Sequence, residues 1–239
     1  MERYEEIIDK IREKTDEVIL FHSATGKDSI ILCDLLSKKF KRVVCVFLYI
    51  VKGLEHQQYY INYACAKYPN VQFIQMPHFV LSNYIKHGVL GHRQNPKQKQ
   101  LNLEDCLTLA RKYTGIEWVC LGFKKADGLN RRLMLMGYEL EGIYEKGKKF
   151  FPLSPYTNKW CKNYIKNNDL INNLEYYGGK GASSECTPDN LGVLLWLRDN
   201  YPEDLQKIYR DFPMAERYIF QYERKNKESG TSDGEALAD

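Results

Sequence analysis

Several classes of protein are set aside by what this chain of 239 residues lacks. No apolar run approaches the ~20 residues that a bilayer-crossing helix needs. The seven cysteines are odd in number and contain no C-x-x-C pair, which argues against a disulfide framework, a structural zinc site and an iron-sulfur cluster. His78, His87 and His92 fit no common zinc spacing and have no cysteine or carboxylate beside them, which leaves structural roles or substrate contacts. The first residues, MERYEEIIDKIREK, spread their charges and lack the apolar segment of a signal peptide. A formal net charge of +4 is too mild to call for a nucleic-acid partner by itself. The expected compartment is the reducing cytoplasm, with Cys33, Cys45, Cys65, Cys106 and Cys120 as core thiols.

What is present is an ordinary globular composition, 44% hydrophobic and 28% charged, enough for one α/β domain and an appendage. Tyr4, Ile7, Ile8 and Ile11 mark an amphipathic first helix. Apolar runs at Val18 to Phe21 and Val43 to Ile50, and a third strand at Val71 to Met76, alternate with helical patterns at Lys27 to Lys39 and Glu55 to Lys67, the latter packing through Tyr59, Tyr60, Tyr63 and Ala64. Pro77 is expected to end the third strand. Runs apolar at every position point to strands covered on both faces, so the fold class is α/β, a doubly wound, mostly parallel sheet. Ligands in such sheets sit at the carboxyl ends of strands. Phe79 to His87 and Leu103 to Tyr113 read as helices, and Glu117 to Phe123 as a further strand. Between them, residues 88–100 form a loop with basic residues and no acid. Its ordinary reading is a solvated loop, and its sharper one a mobile flap over an anionic substrate or a nucleic-acid backbone.

The pivotal stretch is VILFHSATGKDSIILCDLL, Val18 to Leu36: a strand, a turn of small residues and a helix. Such a turn offers amides and the positive end of a helix dipole to an anion, and phosphate is the natural occupant. A Walker A loop is excluded, because no glycine stands five residues before Gly26 and Asp28 follows the lysine. The run Gly26, Lys27, Asp28, Ser29 resembles the PP-loop S-G-G-K-D-S of the ATP pyrophosphatases and sulfonucleotide reductases. Ser23 meets the leading serine only through a one-residue insertion; without it, Ala24 and Thr25 occupy the serine and glycine places.

Two later segments extend the likeness. Gly122 to Arg131, GFKKADGLNR, resembles the reductase segment G-I-R-x-x-E-S-x-x-R, with Gly122 and Arg131 identical, Lys124 for arginine, Asp127 for glutamate and Gly128 for serine. Lysine lacks the bidentate fork of arginine, which counts against sulfonucleotide specificity. Phe150 to Leu170 resembles P-(I/L)-x-x-W-(S/T)-x-x-D-(I/V)-W-x-Y-I through Pro152, Leu153, Thr157, Trp160, Tyr164 and Ile165, with Tyr156 in the place of a tryptophan. The chain is thus similar to the phosphoadenosine phosphosulfate reductase-like branch of the adenine nucleotide α-hydrolase superfamily.

The resemblance implies a nucleotide site of Ser23, Ala24, Thr25, Gly26, Lys27, Asp28, Ser29, Gly122, Lys124, Asp127 and Arg131. It implies ATP with Mg2+, cleaved between the α- and β-phosphates to adenylylate an unidentified acceptor, with Lys27, Asp28, Lys124 and Arg131 in the chemistry. One alternative is a thiol-dependent reductase of phosphoadenosine phosphosulfate, with Cys186 as nucleophile and an external thiol reductant. Against it, Glu185-Cys186 is followed by Thr187-Pro188, without the family's glycine and histidine. A nucleotide-binding or assembly protein without turnover is the other alternative. The expected organisation is a nucleotide domain over 1–170, a helical extension over 171–224 and a disordered polar tail over 225–239, and the chain could pair as a homodimer. In the extension, Tyr177 to Cys186 reads as a loop, Thr187-Pro188-Asp189 as a helix start, and Pro202 and Pro213 as the openings of two more helices, the last ending near Arg224.

Overall fold

A computed structural model describes residues 2–178 and 187–232. The strands are β1 (Glu17–Phe21), β2 (Arg42–Tyr49), β3 (Val71–Pro77), β4 (Val119–Cys120), β5 (Ile143–Tyr144) and β6 (Lys149–Phe150), in the order β3-β2-β1-β4-β6-β5. All pair in parallel except β5, which runs antiparallel to β6. Leu20 of β1 is in register with Cys45 on one side and Cys120 on the other. The helices are α1 (Arg3–Arg12), α2 (Lys27–Ser37), α3 (Glu55–Lys67), α4 (Phe79–His87), α5 (Leu103–Thr114), α6 (Leu129–Met136), α7 (Asn158–Asn167), α8 (Leu191–Asn200), α9 (Pro202–Asp211) and α10 (Glu216–Ser232).

The continuous apolar runs are buried on both faces because alternate residues of each strand point to opposite sides. Val18, Leu20, Val43 and Cys45 pack with α1, α2 and α7 through Ile7, Ile11, Leu32, Cys161 and Ile165. Ile19, Val44, Val46 and Val119 pack with α5 and α6 through Leu107, Ala110 and Leu135. The doubly wound expectation is therefore borne out. A separate apolar cluster joins α8, α9 and α10 to Ile50, Val51 and Leu54 beyond β2 and to Leu81 of α4.

The order β3-β2-β1-β4 carries the mechanical consequence. The chain builds outward from β1 through β2 and β3, then returns to lay β4 on the other flank of β1. The switch point, where connections diverge and leave a crevice, falls between the carboxyl ends of β1 and β4.

Several boundaries differ from the sequence reading. The ladder of β4 holds two residues rather than seven, because β6 beside it is equally short and the chain turns away at Gly122. Pro77 ends β3 from inside it, tolerated on an edge strand whose outer side has no ladder to break. α8 starts at Leu191, not Thr187, since Asn190 Oδ1 accepts from the amides of Gly192 and Val193. α3 turns Ile61 and Ala64 inward, which leaves Tyr59 and Cys65 on its exposed side rather than in the core. The stretch read as a disordered tail from 225 is helical as far as Ser232, where α10 ends. No helix among the described residues is long and apolar enough to cross a membrane.

Candidate active site

The turn between β1 and α2 is closed by its own polar groups. Ser29 Oγ accepts from the Ser23 amide at 2.9 Å, and the Gly26 amide donates to Ser23 O at 2.9 Å. Gly26 stands where a Cβ would come within 2.8 Å of Ser23 Oγ, so a larger residue would push that hydroxyl aside. Ala24, Thr25 and Ser29 are buried, and Thr25 O accepts from Leu174 N at 3.2 Å, which backs the turn from behind. Among the described residues the amides of Ala24, Thr25, Lys27, Asp28 and Ser29 have no acceptor. First-turn amides of a helix are the groups that an anion satisfies.

The segment after β4 comes in beside it. Gly122 allows close approach, since a Cβ there would lie 3.2 Å from the Asp28 Cβ. Lys124 is only 2% exposed, with its Nζ 2.5 Å from Asp28 Oδ2 and 3.1 Å from Asp127 Oδ1. Its amide also donates to Asp127 Oδ2 at 2.8 Å. Burial pulls the Lys124 pKa down, but the two carboxylates outweigh it and the net shift is upward. The ammonium is thus held charged at the switch point.

Lys27 lies 3.4 Å from the same Asp28 oxygen. Arg131 stacks its guanidinium 3.5 Å over the Phe123 ring and sits 3.7 Å from Asp127 Oδ2. Three cations (Lys27, Lys124, Arg131) face two carboxylates (Asp28, Asp127), which leaves a surplus of positive charge. Asp28 Oδ1 is buried and has no hydrogen-bond partner among the described residues.

All eleven residues of the expected nucleotide site, Ser23 to Ser29 together with Gly122, Lys124, Asp127 and Arg131, line one cleft of about 940 Å³. Cys186 lies outside the described residues. A different cysteine, Cys161 of α7, is fully buried near Asp28 and Lys124, and burial followed by the Asp28 carboxylate pushes its thiol up to about 12.

Sequence reasoning missed other parts of the wall. His22 is 4% exposed with Nδ1 unpartnered among the described residues, and Asn158, Lys162, Asn173, Glu175 and Tyr176 close the cleft from α7 and the segment after it. Thr157 caps α7 by accepting from Trp160 N at 3.3 Å. Nothing local says which sheet end that helix reaches. Behind Tyr176, His56 places Nε2 3.0 Å from the phenol oxygen and Nδ1 2.7 Å from Asp204 Oδ2. Of the other histidines, His78 caps α4 by accepting from Val80 N, His92 rests on Phe212, and His87 is exposed. No group of three or more His, Cys, Asp or Glu side chains among the described residues could hold a metal ion.

Comparison with known proteins adds little beyond this geometry. No family model and no curated protein matches the chain. Among solved structures, it is similar to the U34-tRNA thiolase NcsA from Methanococcus maripaludis with its [4Fe-4S] cluster, at 15% identity, over 88% of this chain and 78% of that one, with a TM-score of 0.39. It is also similar to the NH3-dependent NAD synthetase from Campylobacter jejuni in complex with the nitrate ion, at 14% identity, over 90% of this chain and 94% of that one, with a TM-score of 0.45.

Proposed function

We propose that the cleft binds ATP and that the protein is an ATP pyrophosphatase, adenylylating an acceptor with release of pyrophosphate. The observation that carries this reading is the meeting of Asp28 and Lys124 across the switch point, beneath a turn whose leading amides have no protein acceptor among the described residues. In this reading residues 1–170 form the nucleotide domain and 171–224 an extension that walls the cleft.

The β- and γ-phosphates would rest on the amides of Thr25 to Ser29, with Lys27 and Ser29 beside them. An acceptor oxygen attacks the α-phosphorus, the bond from that phosphorus to the bridging oxygen breaks, and pyrophosphate leaves with the electron pair. Lys124 and Arg131 stabilise the charge that develops on the leaving oxygens, the kind of fixed electrostatic term that dominates such reactions. Mg2+ fits here, because Asp28 Oδ1 is a hard, buried oxygen without a partner among the described residues. Asp28 would hold the ion, which when bound neutralises phosphate oxygens.

The thiol-dependent alternative gains no support from the cleft. Cys161, the cysteine placed near Asp28, is buried and held in its protonated form. Calorimetry with ATP and Mg2+, set beside phosphoadenosine phosphosulfate, tests the reading together with an assay for pyrophosphate. ATP binding together with release of pyrophosphate from ATP is the expected result. Binding of phosphoadenosine phosphosulfate with none of ATP would overturn it.

A further inference from the structure

The stretch from Phe79 to Asn102 contains Lys86, His87, His92, Arg93, Lys97 and Lys99 and no aspartate or glutamate. It runs out from the cleft along α4, turns, and comes back to α5, and both Phe79 and Leu103 line the cleft. The return limb is not a loose flap. Leu101 N donates to Ser82 Oγ at 2.9 Å, Gln100 Nε2 to Asn83 Oδ1 at 2.8 Å, Asn95 N to Ile85 O at 2.8 Å and Gln94 Nε2 to Lys86 O at 3.2 Å. Those contacts step in order along α4, so the returning limb lies antiparallel to the helix. Gly88, Leu90 and Gly91 all take positive φ at the turn (64°, 52° and 79°), and His92 packs on Phe212 at 4.9 Å. A non-glycine residue in that region is held there by its surroundings.

The pinned limb presents cations in sequence from Arg93 through Lys97 to Lys99, four residues before Leu103, which lines the cleft. All three are exposed, and among the described residues neither they nor Lys86 have an acidic partner. Gln94, Asn95, Gln98 and Gln100 alternate with them, adding amide donors and acceptors. From His92 to Gln100 the limb has no large apolar side chain. A protein interface needs apolar or aromatic anchors at its centre, whereas a nucleic-acid interface is polar and strongly positive.

We propose that this ridge, residues 86–99, is a docking surface for the sugar-phosphate backbone of a nucleic acid, oriented so that the strand leads to the mouth of the cleft. A limb whose backbone is already pinned to α4 presents its cations to phosphates without having to order itself on binding, and counterion release supplies the affinity. The inference rests on charge and placement and stands apart from the nucleotide reading, because a chain that failed to bind ATP could still dock a strand here.

The test is fluorescence anisotropy of the full chain with labelled single-stranded RNA, DNA of the same sequence, a DNA duplex and polyglutamate, over a salt range of about 50 to 200 mM. The expected result is salt-dependent binding of a nucleic acid and none of polyglutamate. The variant R93Q/K97Q/K99Q should bind at least tenfold more weakly and lose roughly 2 from the log-log salt slope, about 0.7 per single-strand phosphate contact. ATP calorimetry and thermal unfolding of that variant should match the parent. A control, K112Q/K146Q/K166Q, removes the same charge from exposed lysines elsewhere. Equal losses in the control and the ridge variant would overturn the proposal, as would tighter binding of polyglutamate, which would mean an acidic protein partner. Absence of nucleic-acid binding at the lowest salt would overturn it too.

Discussion

The Lys124 ammonium lies between two carboxylates, 2.5 Å from Asp28 Oδ2 and 3.1 Å from Asp127 Oδ1. This contact joins the loop after β4 to the first turn of α2, and so fixes the width of the crevice between the two strand ends. Removing the ammonium leaves Asp28 and Asp127 facing each other with no charge between them. Breaking a fully buried pair costs about 3–5 kcal/mol, and partial exposure of the two carboxylates lowers the expected loss in Lys124→Met to about 2 kcal/mol. Urea denaturation should show that loss, ATP binding should fall with it, and Lys124→Arg should restore stability more fully than ATP turnover.

The same pair sets an alkaline limit. Lys124 titrates above its unfolded value of about 10.4. A raised pKa in the folded state means stability fully present below the unfolded value and lost as pH rises through the folded one. Urea midpoints taken upward from neutral pH should therefore hold until about pH 10 and then decline, and the decline should be shallower in Lys124→Met. Equal slopes in the two proteins would show that other groups set the limit.

A second linkage runs the opposite way. Asp204 is fully buried and accepts from the amides of Glu55 and His56, from His56 Nδ1 and from Lys207 Nζ, the distances lying between 2.7 and 3.0 Å. Burial alone would raise its pKa, but His56, Lys207 and the two amides outweigh that and hold it well below the usual carboxylate range. A depressed pKa gives stability present above the unfolded value, about 3.9, and lost as pH falls toward the folded one. Asp204→Ala should cost about 3 kcal/mol at neutral pH, because it strips the cap from α3 and the partner from His56. Asp204→Asn should lose less further stability than the parent between about pH 4 and 2. Acid titrations followed by circular dichroism distinguish these outcomes.

Gly26 and Ser23 should behave as one unit. Alanine at 26 would bring its Cβ to 2.8 Å from Ser23 Oγ, and the hydroxyl would have to rotate away. Gly26→Ala should weaken ATP binding, Ser23→Ala alone should do less, and the double variant should recover part of the loss. Additive effects in calorimetry would mean that the two side chains do not couple.

The contrast between these sites shows where the sequence was legible. The turn at Ser23 to Ser29 and the cations after Gly122 could be read because each is a local pattern at a strand end, and strand order then brings the two together. The buried runs of β1 and β2 announced a two-faced sheet for the same local reason. His56 and Asp204 are 148 residues apart, and no spacing rule relates them. Tyr176 and Lys162 were equally silent, because their place in the cleft depends on where α7 docks. The row on the return limb was visible as charge, but its fixed course along α4 depends on hydrogen bonds to side chains and carbonyls that composition does not reveal.

Gly122 offers the sharpest separation of stability from function. Its missing side chain lets β4 end 3.2 Å, measured from a notional Cβ, from the Asp28 Cβ, with Leu32 Cδ1 next at 3.7 Å. Neither contact is a severe overlap, so Gly122→Ala requires a shift of a few tenths of an ångström. Such overpacking of a tight site costs about 1 kcal/mol, and the fold should tolerate it. The atom that must give way belongs to Asp28, however, whose carboxylate holds Lys124 and offers Oδ1 to the cleft. A displacement of that size matters little to packing and much to groups that must meet a phosphate in fixed geometry. Gly122→Ala should therefore unfold within a few degrees of the parent while pyrophosphate release from ATP falls at least tenfold. Full activity in a stably folded Gly122→Ala would show that the Asp28–Lys124 contact is structural and that the chemistry lies elsewhere in the cleft.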